Sequence, residues 1–239
     1  CNAAGGEVTQ TNTSSGNQRM GMMSDSTGTL TINDGYIYVN ADGDGLDSNG
    51  ALTINGGTVI VEGPTSDGNT AVDYDGTFNI NGGVLLASGS AGMVESVGNS
   101  SEQNSVTAYF GNTLSAGTTF AVTDADGNLV VAFTPTKASA CFIYSSPLLK
   151  TGETYSVLTG GSCSGEAEDG LYTDGSYNGG TQVREFTVSS VVTTAGSGGG
   201  MAGGMGGKQG GPGGNQGNAP AEGETPPTAP LSLIHISEP

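Results

Sequence analysis

The chain has 239 residues, of which 44 are Gly, and its 23 acidic and five basic residues give a formal net charge of −18. This balance leaves no basic patch for phosphate groups, which argues against nucleic acid as a partner. No apolar run reaches the length needed to span a bilayer, so we do not expect membrane insertion. Many Asp, Gly, Asn and Thr with few Lys are typical of a secreted protein in calcium-rich surroundings, and we expect an extracellular or cell-surface monomer.

The first 26 residues have two interpretations. A mature bacterial lipoprotein would begin with a Cys, as this chain does. Cys1-Asn2-Ala3 also matches Leu46-Asp47-Ser48 and Val72-Asp73-Tyr74, two segments that each end a loop before a repeat begins. We favour this second interpretation, in which Cys1 points into a coil and earlier coils precede it. The polar, Met-rich residues 7–26 are then predicted as a loop between coils rather than as a copper site.

Three similar segments follow, and their spacing predicts the fold class. Residues 28–39 read GTLTINDGYIYV, residues 50–61 read GALTINGGTVIV and residues 76–87 read GTFNINGGVLLA. Because the copies begin at residues 28, 50 and 76, they are 22 and then 26 residues apart. This length is typical of an all-β solenoid in which each copy is one coil stacked on the last. We therefore assign residues 1–98 to coils.

Alternation of polar and apolar residues within each copy predicts which side chains face the interior. The expected inward residues are Leu30, Ile32, Ile37, Val39, Leu52, Ile54, Val59, Val61, Phe78, Ile80, Leu85 and Ala87. An Asn recurs at the corner of each copy, with a Gly two residues later. These residues are Asn33, Asn55, Asn81, Gly35, Gly57 and Gly83. The Asn side chains are predicted to bond to one another along the stack, and the Gly residues to adopt positive φ.

Acidic loops between the copies carry the candidate metal site. Aligning the loops of successive copies places Asp47 above Asp73, on coils about 4.8 Å apart. Carboxylates that close repel each other unless a proton or a cation lies between them, and Ca²⁺ accepts six to eight oxygen ligands. Solvated Asp-Gly and Asn-Gly turns are the alternative interpretation. The predicted calcium ligands are Asp42, Asp44, Asp47, Asn49, Asp67, Asp73 and Asp75.

Residues 99–194 lose the repeat and contain short β-type runs instead. We predict that these runs are antiparallel strands that cap the open end of the coils. The runs are 106–110, 119–123, 129–133, 141–144, 155–158 and 185–192. Asp126-Gly127, between two of them, is predicted as a hairpin turn. Cys141 and Cys163 are expected either to form a disulfide or to be two inert free thiols.

The C-terminal 45 residues are not expected to belong to the fold. Residues 195–230 are rich in Gly, Pro and Ala and are predicted to be disordered, because they offer too little apolar surface to offset the entropy of ordering. Residues 231–239 read LSLIHISEP, which resembles the translation of a transposon-end adaptor used in DNA library preparation. The one His of the chain, His235, lies in this tail. The remaining portion would then have no His for a nucleophile triad, a zinc site or a general base.

Several motifs, taken in order, resemble a known family. They are the Ile-Asn-Gly-Gly repeats and the runs 42–50 (DGDGLDSNG), 63–65 (GPT), 149–155 (LKTGETY) and 189–193 (SSVVT). Together they resemble the clostridial-type carbohydrate-binding β-helix domain proteins, which are similar in shape to polysaccharide lyases. The resemblance implies a right-handed parallel β-helix, bound calcium and non-catalytic binding of plant-type cell-wall polysaccharides such as polygalacturonate and cellulose. It also implies that the ligands include Asp42, Asp44, Asp47 and Asp73.

A binding module is preferred to an enzyme, and we predict no catalytic residues. Elimination from a uronate needs a basic side chain near the calcium, but residues 26–97 contain no Lys, Arg or His. Tyr36, Tyr38 and Tyr74 are candidate rings for stacking on sugars. The alternative is that the C-terminal β segment packs over the outward strip of one sheet, which is formed by Tyr36, Tyr38, Thr58, Ile60, Val84 and Leu86. A chain of this charge repels polyuronate, so calcium would have to bridge the two. A pectate-lyase-like enzyme and a cell-surface structural or adhesion spacer are the alternatives.

Overall fold

The computed structural model describes residues 28–198 together with the backbone of residues 2–3 and 233–237. Within these residues the fold is all-β, with about half of them in strands and no helix. The described part of the chain therefore contains no helix long and apolar enough to cross a membrane. The strands are β1 (Asn2–Ala3), β2 (Thr29–Ile32), β3 (Tyr36–Asn40), β4 (Leu46–Ser48), β5 (Ala51–Ile54), β6 (Thr58–Glu62), β7 (Val72–Tyr74), β8 (Phe78–Ile80), β9 (Val84–Gly89), β10 (Ser105–Leu114), β11 (Phe120–Asp124), β12 (Leu129–Phe133), β13 (Ser139–Ser145), β14 (Thr154–Thr159), β15 (Ser162–Cys163), β16 (Leu171–Tyr172), β17 (Tyr177–Asn178), β18 (Thr181–Thr187), β19 (Val192–Ala195) and β20 (Leu233–Ser237).

The first nine strands pair in three parallel ladders. β1, β4 and β7 form one sheet, β2, β5 and β8 form a second, and β3, β6 and β9 lie side by side in a third. The register follows the sequence repeat, since Leu30 pairs with Leu52 and Leu52 with Phe78. Asn2 pairs with Asp47, which confirms for the backbone the predicted match between the N-terminal residues and the later copies. Each copy therefore contributes one strand to each ladder.

The predicted inward residues form one apolar core between the three ladders. Leu30 and Ile37, in the first copy, are half-buried and pack against this core. The others are buried: Ile32, Val39, Leu52, Ile54, Val59, Val61, Phe78, Ile80, Leu85 and Ala87. Each large aliphatic or aromatic side chain removed from water contributes about 1.5–3 kcal/mol, so this core is the main stabilising feature of the repeats.

The corner of each copy carries the predicted Asn ladder. Asn55 Nδ2 donates to Asn33 Oδ1, and Asn81 Nδ2 donates to Asn55 Oδ1, both at 2.9 Å. The glycines at this corner have positive φ, 98° at Gly35 and 81° at Gly57. A Cβ on Gly57 would lie 2.4 Å from the Gly35 carbonyl oxygen, so the close stacking of these turns requires Gly.

The ladder predicts a graded loss of stability on substitution. Asn55→Ala removes two ladder hydrogen bonds and is expected to lower the free energy of unfolding by about 1–2 kcal/mol. Asn33→Ala removes one of them and is expected to cost about half as much. Urea denaturation of the two variants measures both losses. Equal losses at the two positions would contradict a ladder that contributes bond by bond.

The C-terminal residues extend the third ladder and cover its outer face. β13 pairs antiparallel with β9 and β10 pairs with β13, giving a sheet of order β19-β10-β13-β9-β6-β3-β20. A second sheet, of order β16-β12-β11-β14-β18, packs on the face of this sheet that points away from the first core. The interface is aromatic: the rings of Phe120 and Phe142 stack at 4.7 Å. The outward side chains Tyr38, Ile60 and Leu86 are consequently buried.

The backbone N–H and C=O groups of the last strands of the repeats find hydrogen-bond partners in three different ways. The predicted antiparallel strand is present on β9, where β13 pairs with it. At β8, the backbone N–H groups of Gly98 and Gln103 donate to the carbonyls of Phe78 and Ile80. At β7, the carboxylate of Glu95 accepts the backbone N–H of Tyr74 where a further strand would otherwise pair. Capping of all three edges removes the unpaired groups that would otherwise attract another chain.

Two sequence predictions about the C-terminal residues need correction or refinement. The run predicted over 185–192 is two strands, because β18 pairs with β14 in the second sheet whereas β19 crosses to pair with β10 in the first. Cys141 is a buried free thiol and Cys163 is a half-buried free thiol, so these two residues are not joined. The Asp126-Gly127 hairpin between β11 and β12 is confirmed, with φ of 83° at Gly127.

Two short strands near the chain ends, β1 and β20, pair with strands of the repeats. The tail that we assign to adaptor sequence forms β20, which pairs antiparallel with the edge strand β3. An edge strand offers unpaired N–H and C=O groups, and these accept an extended segment whatever its origin. The predicted loop at 7–26, the Cys1 side chain and nearly all of the predicted disordered region at 195–230 lie outside the described residues.

Candidate cation site

Parallel pairing of β4 with β7 brings the acidic loops together. Leu46 pairs with Val72, and Asp47 pairs with Asp73. Leu46 and Val72 are fully buried, so the alternation of the strands directs the two Asp side chains to the outside of the stack. The predicted register of these neighbouring carboxylates is confirmed.

A third acidic residue, Glu95, continues this row and is not among the predicted ligands. Its carboxylate accepts the backbone N–H of Tyr74 at 3.1 Å, and the Tyr74 hydroxyl donates to the Ser96 carbonyl at 2.6 Å. Val94-Glu95-Ser96 repeats the apolar–acidic pattern that begins at Val72, but no Ile-Asn-x-Gly corner follows it. That pattern is the signal that could have identified Glu95. We call Asp47, Asp73 and Glu95 the acidic row.

The carboxylates of the acidic row and its neighbours repel one another. The pKa of Asp73 is raised above its ordinary value, first by burial and then by the negative charges of Asp44, Asp47 and Asp75. The pKa of Glu95 is also raised, chiefly by burial and then by several of the same carboxylates. Burial and the neighbouring negative charges both raise the free energy of the ionised carboxylates. A bound cation would reduce the repulsion between them.

The carboxylates of the acidic row are suitable ligands for calcium, although their side chains are not arranged as a preformed coordination site. In residues 28–198 no three His, Cys, Asp or Glu side chains converge closely enough to hold a metal ion. Asp44 Oδ1 accepts the Thr70 N–H at 2.8 Å and Glu95 is bonded to β7, so both carboxylates are tied to backbone. Calcium takes six to eight oxygens and completes its shell with carbonyls and water, so side-chain rotation about Asp47 and Asp73 would be needed to bind it.

Two predicted ligands lie apart from the acidic row. Asp42 is 72% exposed and its Oδ1 lies 3.6 Å from Lys137 Nζ, which draws it toward the C-terminal segment. Asp67 is exposed in the long loop 63–71 and lines a different cavity. Asn49 is half-buried and follows β4 directly, so it stays next to the row. The structure therefore does not bring Asp42 and Asp67 to the acidic row, and the loops before β4 and β7, which carry them, differ in length.

Removing one charge from the acidic row is expected to change how stability depends on pH. Because the folded pKa values are raised, the native chain binds more protons than the unfolded chain just above the ordinary carboxyl range, and stability from these groups falls as pH rises through that window. In EDTA, Asp73→Asn is therefore expected to raise Tm at pH 7, by about 2–4 °C per kcal/mol of repulsion removed, and to flatten this part of the profile.

Calorimetry across the acidic pH range, with Asp126→Asn as the control, measures this effect. Asp126 is an exposed acid in the β11–β12 turn, and its replacement makes the same change in net charge away from the acidic row. The control should leave the slope of the wild-type profile unchanged. A lower Tm for Asp73→Asn at pH 7 would contradict the repulsion that we infer.

The three candidate tyrosines are engaged within the protein. Tyr38 is 7% exposed beneath the second sheet, and its hydroxyl donates to Glu62 Oε1 at 2.7 Å. The Tyr36 hydroxyl donates to Asp169 Oδ2 at 2.9 Å, and that of Tyr74 donates to the backbone carbonyl described above. The C-terminal segment thus packs over the strip that contains Tyr38, which is the alternative considered from the sequence. Tyr38 has little surface left for a sugar, whereas Tyr36 and Tyr74 are half-buried.

Comparison with known proteins does not assign the chain to a family or a function. No protein family model, curated protein or solved structure matches the chain.

Proposed function

We propose that this protein is an extracellular, non-catalytic module that binds acidic cell-wall polysaccharide through calcium. In this proposal the three parallel ladders are coils of a right-handed parallel β-helix, and the antiparallel C-terminal sheets cover one side of it. This is the arrangement implied by the resemblance to carbohydrate-binding β-helix domain proteins. The acidic row binds the cation, and the module acts as a monomer.

The observation that carries the proposal is the in-register stacking of Asp47 and Asp73, continued by Glu95. Two successive rungs, β4 and β7, each carry an acid at this position, about 4.8 Å apart along the stack. A divalent ion between neighbouring carboxylates would offset their repulsion, and ions along the row would present a line of positive charge. An extended anionic polymer is the ligand that matches such a line.

Calcium is needed for this ligand because the protein is itself acidic. A chain with a net charge of −18 repels polyuronate, and no basic residue lies on the described ladders. A calcium ion that shares its ligands between the acidic row and a uronate carboxylate joins two surfaces of the same sign. Neutral polysaccharide would have no such requirement.

Binding to polygalacturonate with and without chelator tests the proposal. In millimolar calcium we expect saturable binding by calorimetry, and in EDTA we expect none. Fully methyl-esterified pectin is the matched neutral ligand and should bind no more tightly with calcium than without it. Undiminished polygalacturonate binding in EDTA would contradict the bridging model, and failure to bind any plant polymer would favour the structural or adhesion spacer.

One observation favours a lyase as the second candidate. Lys137 reaches from the C-terminal segment to the repeats, where its Nζ donates to the Ala41 carbonyl and lies 3.6 Å from Asp42. Burial lowers the pKa of Lys137, which is the direction that a general base requires. Its ammonium group is already paired with Asp42 rather than placed at the acidic row, so we rank binding first. Steady release of unsaturated product from polygalacturonate, abolished in Lys137→Met, would reverse this order.

A further inference from the structure

Residues 146–153 form a tightly bonded loop between β13 and β14, and this loop contains most of the sequence motif LKTGETY. The Tyr155 hydroxyl accepts the Lys150 N–H at 2.8 Å and donates to the Leu148 carbonyl at 2.9 Å. Leu149, which lies between these two residues, is 3% exposed and belongs to the core between the two sheets. These contacts fix the backbone from which the Leu148 and Lys150 side chains project.

A cavity beside this loop has a partly apolar wall. Its volume is about 320 Å³, which is within the range of small-molecule sites. Four of the seven residues that line it are apolar or aromatic, namely Leu129, Val130, Leu148 and Tyr155. Leu148 is 54% exposed, and Met93 is the other large apolar residue with such exposure in the described part of the chain. An apolar ligand group in the cavity would remove this surface from water.

The other three residues that line the cavity are charged, and they are Asp124, Lys150 and Glu153. Within residues 28–198 the side chains of Lys150 and Glu153 make no ion pair or hydrogen bond, since the ion pair formed there involves Lys137. Asp124 is held in place by the backbone N–H and Nδ2 of Asn128, both at 2.8 Å. One cationic and two anionic groups therefore line the same cavity without pairing with one another.

We propose that this cavity binds a free α-amino acid with an apolar side chain. The α-carboxylate would accept hydrogen bonds from Lys150, and the α-ammonium group would donate to Asp124 and Glu153. The apolar side chain would lie against Leu129 and Leu148. A neutral sugar offers no charge to these groups, and a polyuronate would be repelled by the two carboxylates. The site shares no residue with the acidic row and does not depend on the proposed function.

Titration of the full-length wild-type protein with L-leucine, followed by NMR in EDTA, tests the proposal. We expect the amide resonances of Leu148, Lys150 and Tyr155 to shift saturably. Each of three matched ligands lacks one feature: leucinol lacks the carboxylate, 4-methylpentanoate lacks the ammonium group and glycine lacks the apolar side chain. Each should bind about tenfold or more weakly than leucine, because a hydrogen bond to a charged group contributes enough for that factor. Resonances that do not move with leucine would overturn the proposal, as would equal binding of leucine and any matched ligand.

Substitutions at exposed positions of the cavity test the role of each charge. Lys150→Met should weaken leucine binding by about tenfold or more, whereas Lys150→Arg keeps the positive charge and should retain most of it. Glu153→Gln should also weaken binding, whereas Glu102→Gln, an exposed acid outside the cavity, should not. Leucine binding that is unchanged in Lys150→Met would overturn the proposal. Asp73→Asn should leave leucine binding intact, so this site and the calcium site are tested separately.

Discussion

Replacing Glu62 with Ala is expected to lower the free energy of unfolding by about 3–5 kcal/mol, because several buried donors lose a charged acceptor and hydrogen bonds to charged groups contribute about 1.5–3 kcal/mol each. Glu62 is 1% exposed, and its carboxylate accepts four hydrogen bonds. The donors are the Tyr38 hydroxyl at 2.7 Å, the Thr136 N–H at 2.7 Å, the Thr136 hydroxyl at 2.9 Å and the Lys137 N–H at 3.2 Å. Their loss would leave buried donors unpaired where the second sheet meets the repeats.

Glu62→Gln is the matched control, because it keeps the shape and the acceptor oxygen of the side chain. The amide oxygen can accept from Thr136 and Lys137, and the amide N–H can donate to the Tyr38 hydroxyl. We therefore expect a loss well below that of Glu62→Ala in urea denaturation. If both variants are destabilised equally, the charge of Glu62 rather than its hydrogen bonds joins the two parts of the fold. If neither is destabilised, this contact does not anchor the second sheet.

Asp73→Asn is expected to weaken calcium-dependent binding of polygalacturonate by about 100-fold. Asp73 is the central member of the acidic row, paired with Asp47 and next in line to Glu95. Calcium affinity in proteins varies over several orders of magnitude with the number of charged ligands, and an amide supplies one neutral oxygen in place of a carboxylate. Calorimetry in millimolar calcium measures the loss.

Asp126→Asn again provides the control, and it should bind the polymer as the wild-type protein does. The comparison removes any general effect of a lower net charge, because both variants lose one negative charge. Unchanged binding in Asp73→Asn would place the cation elsewhere. Tighter binding would show that Asp73 only repels the polymer and that no bridge is formed.

Periodic features of the fold could be predicted from the sequence because each copy repeats the same local constraints. Alternation within GALTINGGTVIV identifies Leu52, Ile54, Val59 and Val61 as core residues, and all four are buried. The Asn and Gly of each corner are explained by the stacking of one turn on the next, which brings Asn55 to Asn33. The register of Asp47 with Asp73 follows from the same repeat.

Contacts between distant parts of the chain could not be predicted in this way. Tyr38 alternates outward, and its burial depends on a second sheet that begins about 80 residues later. The sequence pattern places Glu62 at the polar end of a strand. Its carboxylate nevertheless accepts hydrogen bonds from residues 74 and 75 positions away. No local pattern specifies either contact.

The acidic row and the packing of Arg184 differ in the same respect. Most of the acidic row lies on repeated strands, and only Glu95 is missed, because the repeat loses its corner at that point. Arg184 lies on a strand with no repeat and reaches Gly111 within a β-bulge of β10. Single positions in irregular strands carry no periodic signal, so the structure was needed to find them.

An anomalous difference map from crystals grown in millimolar calcium tests the central claim most directly. We predict an ion at the acidic row, with carboxylate oxygens of Asp47 and Asp73 at about 2.3–2.6 Å and backbone carbonyls or water completing its shell. A map with no peak at the row, or with calcium only at other carboxylates such as Asp124, would contradict the account.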